Sequence, residues 1–154
     1  VILDTNVFIN ALTGRAPAIL RTLQENLPRM VVAVATRAEL AWVRGRLDPD
    51  HPGTNQVVVK YDVLLEKISP AQVLVPDDSC WLEAGELAGH AARVMAGGGR
   101  RIATAFDRTE LISDALIAIL ARSTGYTLVT EDKDFAVFER LVSGLHVLFY
   151  TRPA

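Results

Sequence analysis

Short runs of strand-forming residues alternate with longer runs at helical spacing along almost the whole of this chain. No other feature of the sequence narrows the fold as far. Val1–Leu3, Met30–Ala33, Val73–Val75, Thr127–Val129 and His146–Phe149 read as strands. Between them the spacing predicts helices near Thr5–Leu12, Ala16–Leu27, Arg37–Leu47, Gln56–Ile68, Ser79–Met95, Arg108–Ser123 and Phe135–Val142. Strands and helices that alternate in this way predict an α/β fold, a mostly parallel sheet with helices on both faces. Gly125 reads as a helix stop ahead of the strand at Thr127. The tracts "LDPDHPGTN" and "AGGGRRIA" are the strongest breaks. Neither is flanked by enough chain for a second unit, so residues 1–154 are expected to form a single domain.

Composition excludes several classes. Half of the 154 residues are hydrophobic and 22% are charged, which fits a packed globule and not a disordered chain. No apolar run approaches the roughly 18 residues of a membrane span. With no secretory leader legible either, a cytoplasmic, membrane-free location is expected. The lone Cys80 has no partner for an internal disulfide, in keeping with a reducing compartment. A net charge of −2 does not mark a nucleic-acid binder. The basic residues are nevertheless mostly Arg, with Lys only at 60, 67 and 133, and Arg suits bidentate phosphate contacts.

Four acids carry the chemistry. Asp4 follows the first strand, Glu39 the second and Asp132 the fourth. The C-terminal ends of parallel strands share one sheet edge, where ligands bind in such folds. The fourth, Asp114, lies in "ELISDALIAILA", apolar nearly all round at helical spacing; Ser113 and Asp114 are its only polar residues between Leu111 and Ala121. An ionised carboxylate there is costly unless paired. Carboxylates brought together repel and raise one another's pKa, and a hard divalent cation relieves that conflict. Oxygen ligands without a Cys or His cluster favour Mg²⁺ or Mn²⁺ over Zn²⁺. Metal-assisted phosphodiester hydrolysis is the chemistry such a site suits.

Each acid also has a purely structural reading. Asp4 is suited to cap the first helix. Glu39 stands at capping-box spacing from Thr36. Asp132 and Asp134 suit the turn before Phe135. Asp114 is harder to explain this way, because Asp107 and Glu110 already offer an earlier helix start. Thr5 and Asn6 either orient Asp4 and a bound water or simply begin the helix. The loop of Gly97, Gly98, Gly99, Arg100 and Arg101 either holds nucleic-acid phosphates or is a solvated turn. Trp42 and Trp81 sit in apolar helical patterns and read as core or interface residues, not base-stacking platforms. The scattered His51, His90 and His146 match no metal-ligand spacing.

The segments "LDTNVFI", "TRAEL", "SDALIAILA" and "LVTEDKDF" together resemble the PIN-domain ribonucleases, and among them the VapC-type toxins of toxin–antitoxin pairs. The resemblance spans nearly the whole chain, in order. It implies a five-stranded parallel sheet in a three-layer α/β/α sandwich, and a Mg²⁺- or Mn²⁺-dependent endoribonuclease. It further implies an RNA substrate, a homodimer and a cognate antitoxin protein. Asp4, Glu39, Asp114 and Asp132 fall on the family's catalytic, metal-binding positions. Asp134 competes with Asp132 for the fourth, because many relatives carry one more residue before the Asp-Phe pair. Asp132, two residues after Thr130, is favoured, with Thr5, Asn6, Thr130 and Asp134 as supporting neighbours.

Two other enzyme or signalling classes fit less well. A haloacid-dehalogenase-type phosphatase wants a second Asp where this chain has Asn6. A receiver module wants an acidic pair at the first strand and a Lys after a late strand, and Lys133 is poorly placed. A catalytically inactive binding domain, or an RNA-processing nuclease that is not a toxin, keeps the same fold with a different role.

Overall fold

The computed structural model describes residues 1–15, 18, 22, 25–26, 29–99 and 104–151. The helix expected at Ala16–Leu27 falls largely outside them. Five short strands and six helices follow one another among the described residues. Their order is β1 (Ile2–Leu3), α1 (Thr5–Leu12), β2 (Val32–Ala33), α2 (Val34–Gly45), α3 (Thr54–Lys67), β3 (Val73–Leu74), α4 (Asp78–Gly97), α5 (Ala105–Thr124), β4 (Leu128–Thr130), α6 (Phe135–Leu141) and β5 (Val147–Phe149).

All strand pairs are parallel. β1, β4 and β5 form one ladder and β2 with β3 another. The two meet at a parallel bridge between Ile2 and Val31, where Val31 N–H donates to the Val1 carbonyl at 3.0 Å. The expected sheet is therefore present as two ladders joined at that bridge, with strands in the spatial order 3-2-1-4-5. In this order the chain winds outward from β1 in one direction and then restarts at β4 on its other side. The gap between the C-terminal ends of β1 and β4 is the switch point of the sheet, where α/β folds open a crevice.

Strand alternation divides the core in two. Ile2, Ala33 and Leu128 point into a cluster with α4, α5 and α6. Leu3 and Val32 point the opposite way, into a cluster with α1, α2 and α3 through Phe8, Leu40 and Tyr61. α1 buries Val7, Phe8 and Ala11, at i, i+1 and i+4, so one stripe faces the sheet. α5 is a 20-residue helix with reciprocal capping at its start: Asp107 N–H donates to Thr104 Oγ1 at 3.1 Å, and Thr104 N–H to Asp107 Oδ2 at 2.9 Å. It ends where Gly125 takes a φ of 69°, a left-handed turn that only glycine adopts cheaply, as the sequence predicts.

Trp42 and Trp81 are corrections to the core reading. They are 53% and 50% exposed. Their helices bury other stripes, Thr36 and Leu40 on α2 and Ala84, Leu87, Ala88, Ala91 and Met95 on α4. The Arg46 guanidinium instead lies over the Trp42 ring, 4.6 Å from its centroid. Among the described residues, no helix is long and apolar enough to cross a membrane.

Candidate active site

The switch point is lined by carboxyl groups. Asp4 leaves β1 with only 3% of its surface exposed. Its Oδ1 accepts from Thr5 N–H at 2.7 Å, so it does cap α1. Its Oδ2 accepts from the Thr130 hydroxyl at 2.7 Å, across the β1–β4 gap. Burial raises the Asp4 carboxyl to about 7; the bonds from Thr130 and Thr5 oppose the rise, and the charges of Glu39 and Asp132 add to it.

Thr130 is fully buried and links two acids. While donating to Asp4, its hydroxyl accepts from Asp132 N–H at 2.9 Å. Asp132 Oδ1 in turn accepts from Asp134 N–H at 2.8 Å. The field of Asp132 reaches both Asp4 and Asp114. Asp134 stands one residue before α6, and its side chain makes no cap bond.

Asp114 sits in the middle of α5, half-buried. Its carboxyl is raised well above the ordinary range, first by loss of solvent, then by the charges of Asp4, Asp132, Glu39 and Glu110. The four acids are therefore close enough to feel one another. Glu39, half-buried on α2, accepts from the Thr5 hydroxyl at Oε2 and from the Ser113 hydroxyl at Oε1. The capping box expected between Thr36 and Glu39 does not form, because α2 begins at Val34, three residues before the expected start. Thr36 thus lies inside the first turn, and its hydroxyl is buried without a partner among the described residues.

Other expectations are less engaged. Asn6 is half-buried on the first turn of α1, and no hydrogen bond ties its side chain to the acids among the described residues. Arg100 and Arg101 lie outside the described residues. Two contacts were missed by sequence reasoning. Ser113 was visible as a polar residue beside Asp114, but nothing local pointed it at Glu39. Asn10, 2% exposed on the apolar stripe of α1, donates from Nδ2 to Tyr150 Oη at 2.9 Å and ties the end of β5 to α1.

The donor chemistry fits a hard divalent cation: all oxygen, with the buried Asp4 and the half-buried Asp114 opposing one another's charge. The described ion pairs, Arg44–Asp62 and Arg122–Glu83, involve neither Asp4, Glu39 nor Asp114. The present side-chain arrangement is more open than a ligand set. Among the described residues, no three His, Cys, Asp or Glu groups are arranged to hold an ion. Asp4, Glu39 and Asp132 each spend acceptor capacity on a hydroxyl or amide.

Comparison with known proteins identifies the fold. Three solved structures have chains similar to this one over nearly their full lengths. In a complex of VapBC2 from Rickettsia felis bound to a promoter DNA fragment, the similar chain is 20% identical, with 97% of this chain and 98% of that one covered and a TM-score of 0.62. For DNA-bound VapBC from Salmonella typhimurium the values are 21%, 96%, 96% and 0.63. For VapBC-5 from Mycobacterium tuberculosis, a member of the VapBC family of toxin–antitoxin systems, they are 24%, 97%, 97% and 0.58. At these identities the likeness is one of fold. No curated protein sequence matches the chain. The PIN domain model matches residues 1–141, which take in all four acids and the whole switch point. The chain belongs to the PIN domain family.

Proposed function

We propose that this protein is a Mg²⁺- or Mn²⁺-dependent endoribonuclease of the VapC toxin type, acting in the cytoplasm as a homodimer and restrained by a cognate antitoxin. The observation that carries the reading is the hydrogen-bonded set of Asp4, Glu39 and Asp132, linked through Thr5, Ser113 and Thr130 with Asp114 next to Ser113, at the switch point of a PIN-family chain. PIN domains are nucleases and generally use divalent ions. Here Asp4, Glu39, Asp114 and Asp132 would hold the ion. The ion would supply a stronger acid than any side chain, easing deprotonation of the attacking water and neutralising charge that builds on the phosphate. The chain's own residues do the rest. Thr130 holds Asp4 and the Asp132 backbone in register, Asp134 N–H turns the Asp132 carboxylate, and the buried position of Asp4 keeps bulk water from its inner oxygen.

Likeness to toxin–antitoxin chains over nearly the whole length supports the toxin assignment. Beside α1 lies a cavity of about 490 Å³ whose lining includes Val1, Val129, Leu148 and Tyr150 together with Thr22, Asn26 and Arg29, over the core residues Leu3, Val7 and Met30; a partner's apolar side chain would fit there. An Arg from such a partner would pair bidentately with the carboxylates and compete for them with the cation.

The test has two parts. Purified protein cleaves single-stranded RNA with Mn²⁺, and not in EDTA. Expressed alone, it slows growth of its host; Asp4→Asn relieves the effect, and a small protein encoded beside it restores growth by direct binding. Active enzyme with normal growth and no copurifying partner would make it an RNA-processing or decay enzyme instead.

A further inference from the structure

Glu39 is held from two sides by residues adjacent in sequence to two other acids. Thr5, next to Asp4, donates to Oε2, and Ser113, next to Asp114, donates to Oε1. Thr5 also gives its backbone N–H to Asp4 at 2.7 Å, so one residue serves two acids. The hydroxyls belong to α1 and α5, which pack on opposite faces of the sheet, and Glu39 on α2 bridges them. Neither hydroxyl is accounted for by ordinary helix chemistry. Thr5 is at the first helical position with its side chain turned away from the cap, and Ser113 lies mid-helix, where a serine hydroxyl commonly bonds back to the preceding turn.

We infer that Thr5 and Ser113 are positioning residues that hold the Glu39 carboxylate at the switch point, beside Asp4 at the start of α1 and Asp114 on α5, as one ligand of the divalent-cation site. The inference rests on the nuclease reading above. A free Glu side chain samples many rotamers, and ordering it on cation binding costs free energy. Two charge-assisted bonds from hydroxyls hold it before the cation arrives. Each carboxylate oxygen has a second lone pair, so these bonds leave Glu39 able to ligate.

The experiment is calorimetric titration of the full chain with Mn²⁺, paired with cleavage kinetics. Ser113→Ala is expected to weaken Mn²⁺ binding about tenfold, the usual size for losing a support behind a ligand. Thr5→Val should do the same, and Ser113→Thr and Thr5→Ser should restore affinity. At low Mn²⁺, kcat should fall with KM for RNA unchanged, and excess Mn²⁺ should recover kcat. In a Glu39→Gln background, Ser113→Ala should cost nothing further, because it acts only through Glu39. Thermal melting of each variant reports folding separately. Wild-type protein that binds no Mn²⁺ overturns the nuclease reading itself. Wild-type protein that binds Mn²⁺ while Ser113→Ala and Thr5→Val bind it equally well overturns the positioning role alone. So does a Ser113→Ala loss that persists undiminished in the Glu39→Gln background.

Discussion

The two faces of the sheet are built differently. On one, α4 and α5 pack through alanines: Ala84, Ala88, Ala91, Ala115, Ala118 and Ala121 are all buried. Small side chains let two 20-residue helices approach closely, and α6 closes the layer with Phe135 against Phe138, ring centroids 5.6 Å apart. On the other face the fill is bulkier and the helices shorter. Phe8, Met30, Leu40 and Tyr61 make the core there, and α3 buries only Thr54 and Tyr61 while Val59 and Val63 stand exposed. The candidate site draws on both. Asp114 comes from the close-packed face, Asp4 and Glu39 from elements of the looser one, and hydroxyls span the seam. Unequal packing of this kind yields unequal local stability, so the site joins a firm wall to a more yielding one.

The largest test ignores the difference between the walls. Asp4→Asn and Asp114→Asn, one from each, should both lower kcat for RNA cleavage by roughly 10²–10³-fold, the scale of losing a principal electrostatic group. A residual rate near wild type in either would remove that residue from the site.

Next comes pH, which acts on both walls, because burial raises the carboxyls of Asp4 and Asp114 alike. In metal-free protein the folded Asp4 keeps its proton up to about 7, against 3.8 for the ordinary group. Between those values the folded state binds more protons than the unfolded one, so raising pH favours unfolding. Stability is fully retained below the lower value and lost progressively toward pH 7. The whole effect is on the order of 4 kcal/mol at 1.36 kcal/mol per unit. Urea unfolding in EDTA should show that decline, and Asp4→Asn should lessen it, leaving the share that Asp114 contributes. An unchanged slope in the variant would assign the decline elsewhere.

A matched pair of smaller changes probes the packing itself. Ala118→Val on α5 should cost about 2 kcal/mol by overpacking, and Ala11→Val on α1 about 1 kcal/mol, part of which is helix propensity. Equal losses in chemical denaturation would mean that the two faces are equally tight. Smallest of all, Val59→Ala on α3 should shift stability by less than about 0.5 kcal/mol, as exposed positions do; a larger loss would show that α3 is more firmly docked than its exposed face indicates.

Local signals made much of this legible. α1 runs over the expected Thr5–Leu12, and Gly125 ends α5 where a left-handed residue is required. The four acids stood out because charge at strand ends, and within an apolar helix, contradicts the surrounding pattern. What stayed hidden depends on residues far apart in sequence. The strand order 3-2-1-4-5 is a matter of pairing between distant segments, and no window contains it. The start of α2 at Val34 was missed because Ala33 offers no capping side chain to mark it. That misplaced start made Thr36 and Glu39 look like partners. The exposure of Trp42 was missed because composition shows an apolar residue but not which stripe its helix buries.

The bond from Thr130 to Asp4 joins residues 126 positions apart. Contacts of such long range close slowly and late in folding. They also impose an order during synthesis, which proceeds from the N-terminus at about 5–20 residues per second. The central strand, β1, leaves the ribosome well before its second neighbour, β4. Until residue 130 has emerged, Asp4 has neither its threonine nor Asp132 beside it. The candidate site therefore stays incomplete during translation until residue 132 has been made.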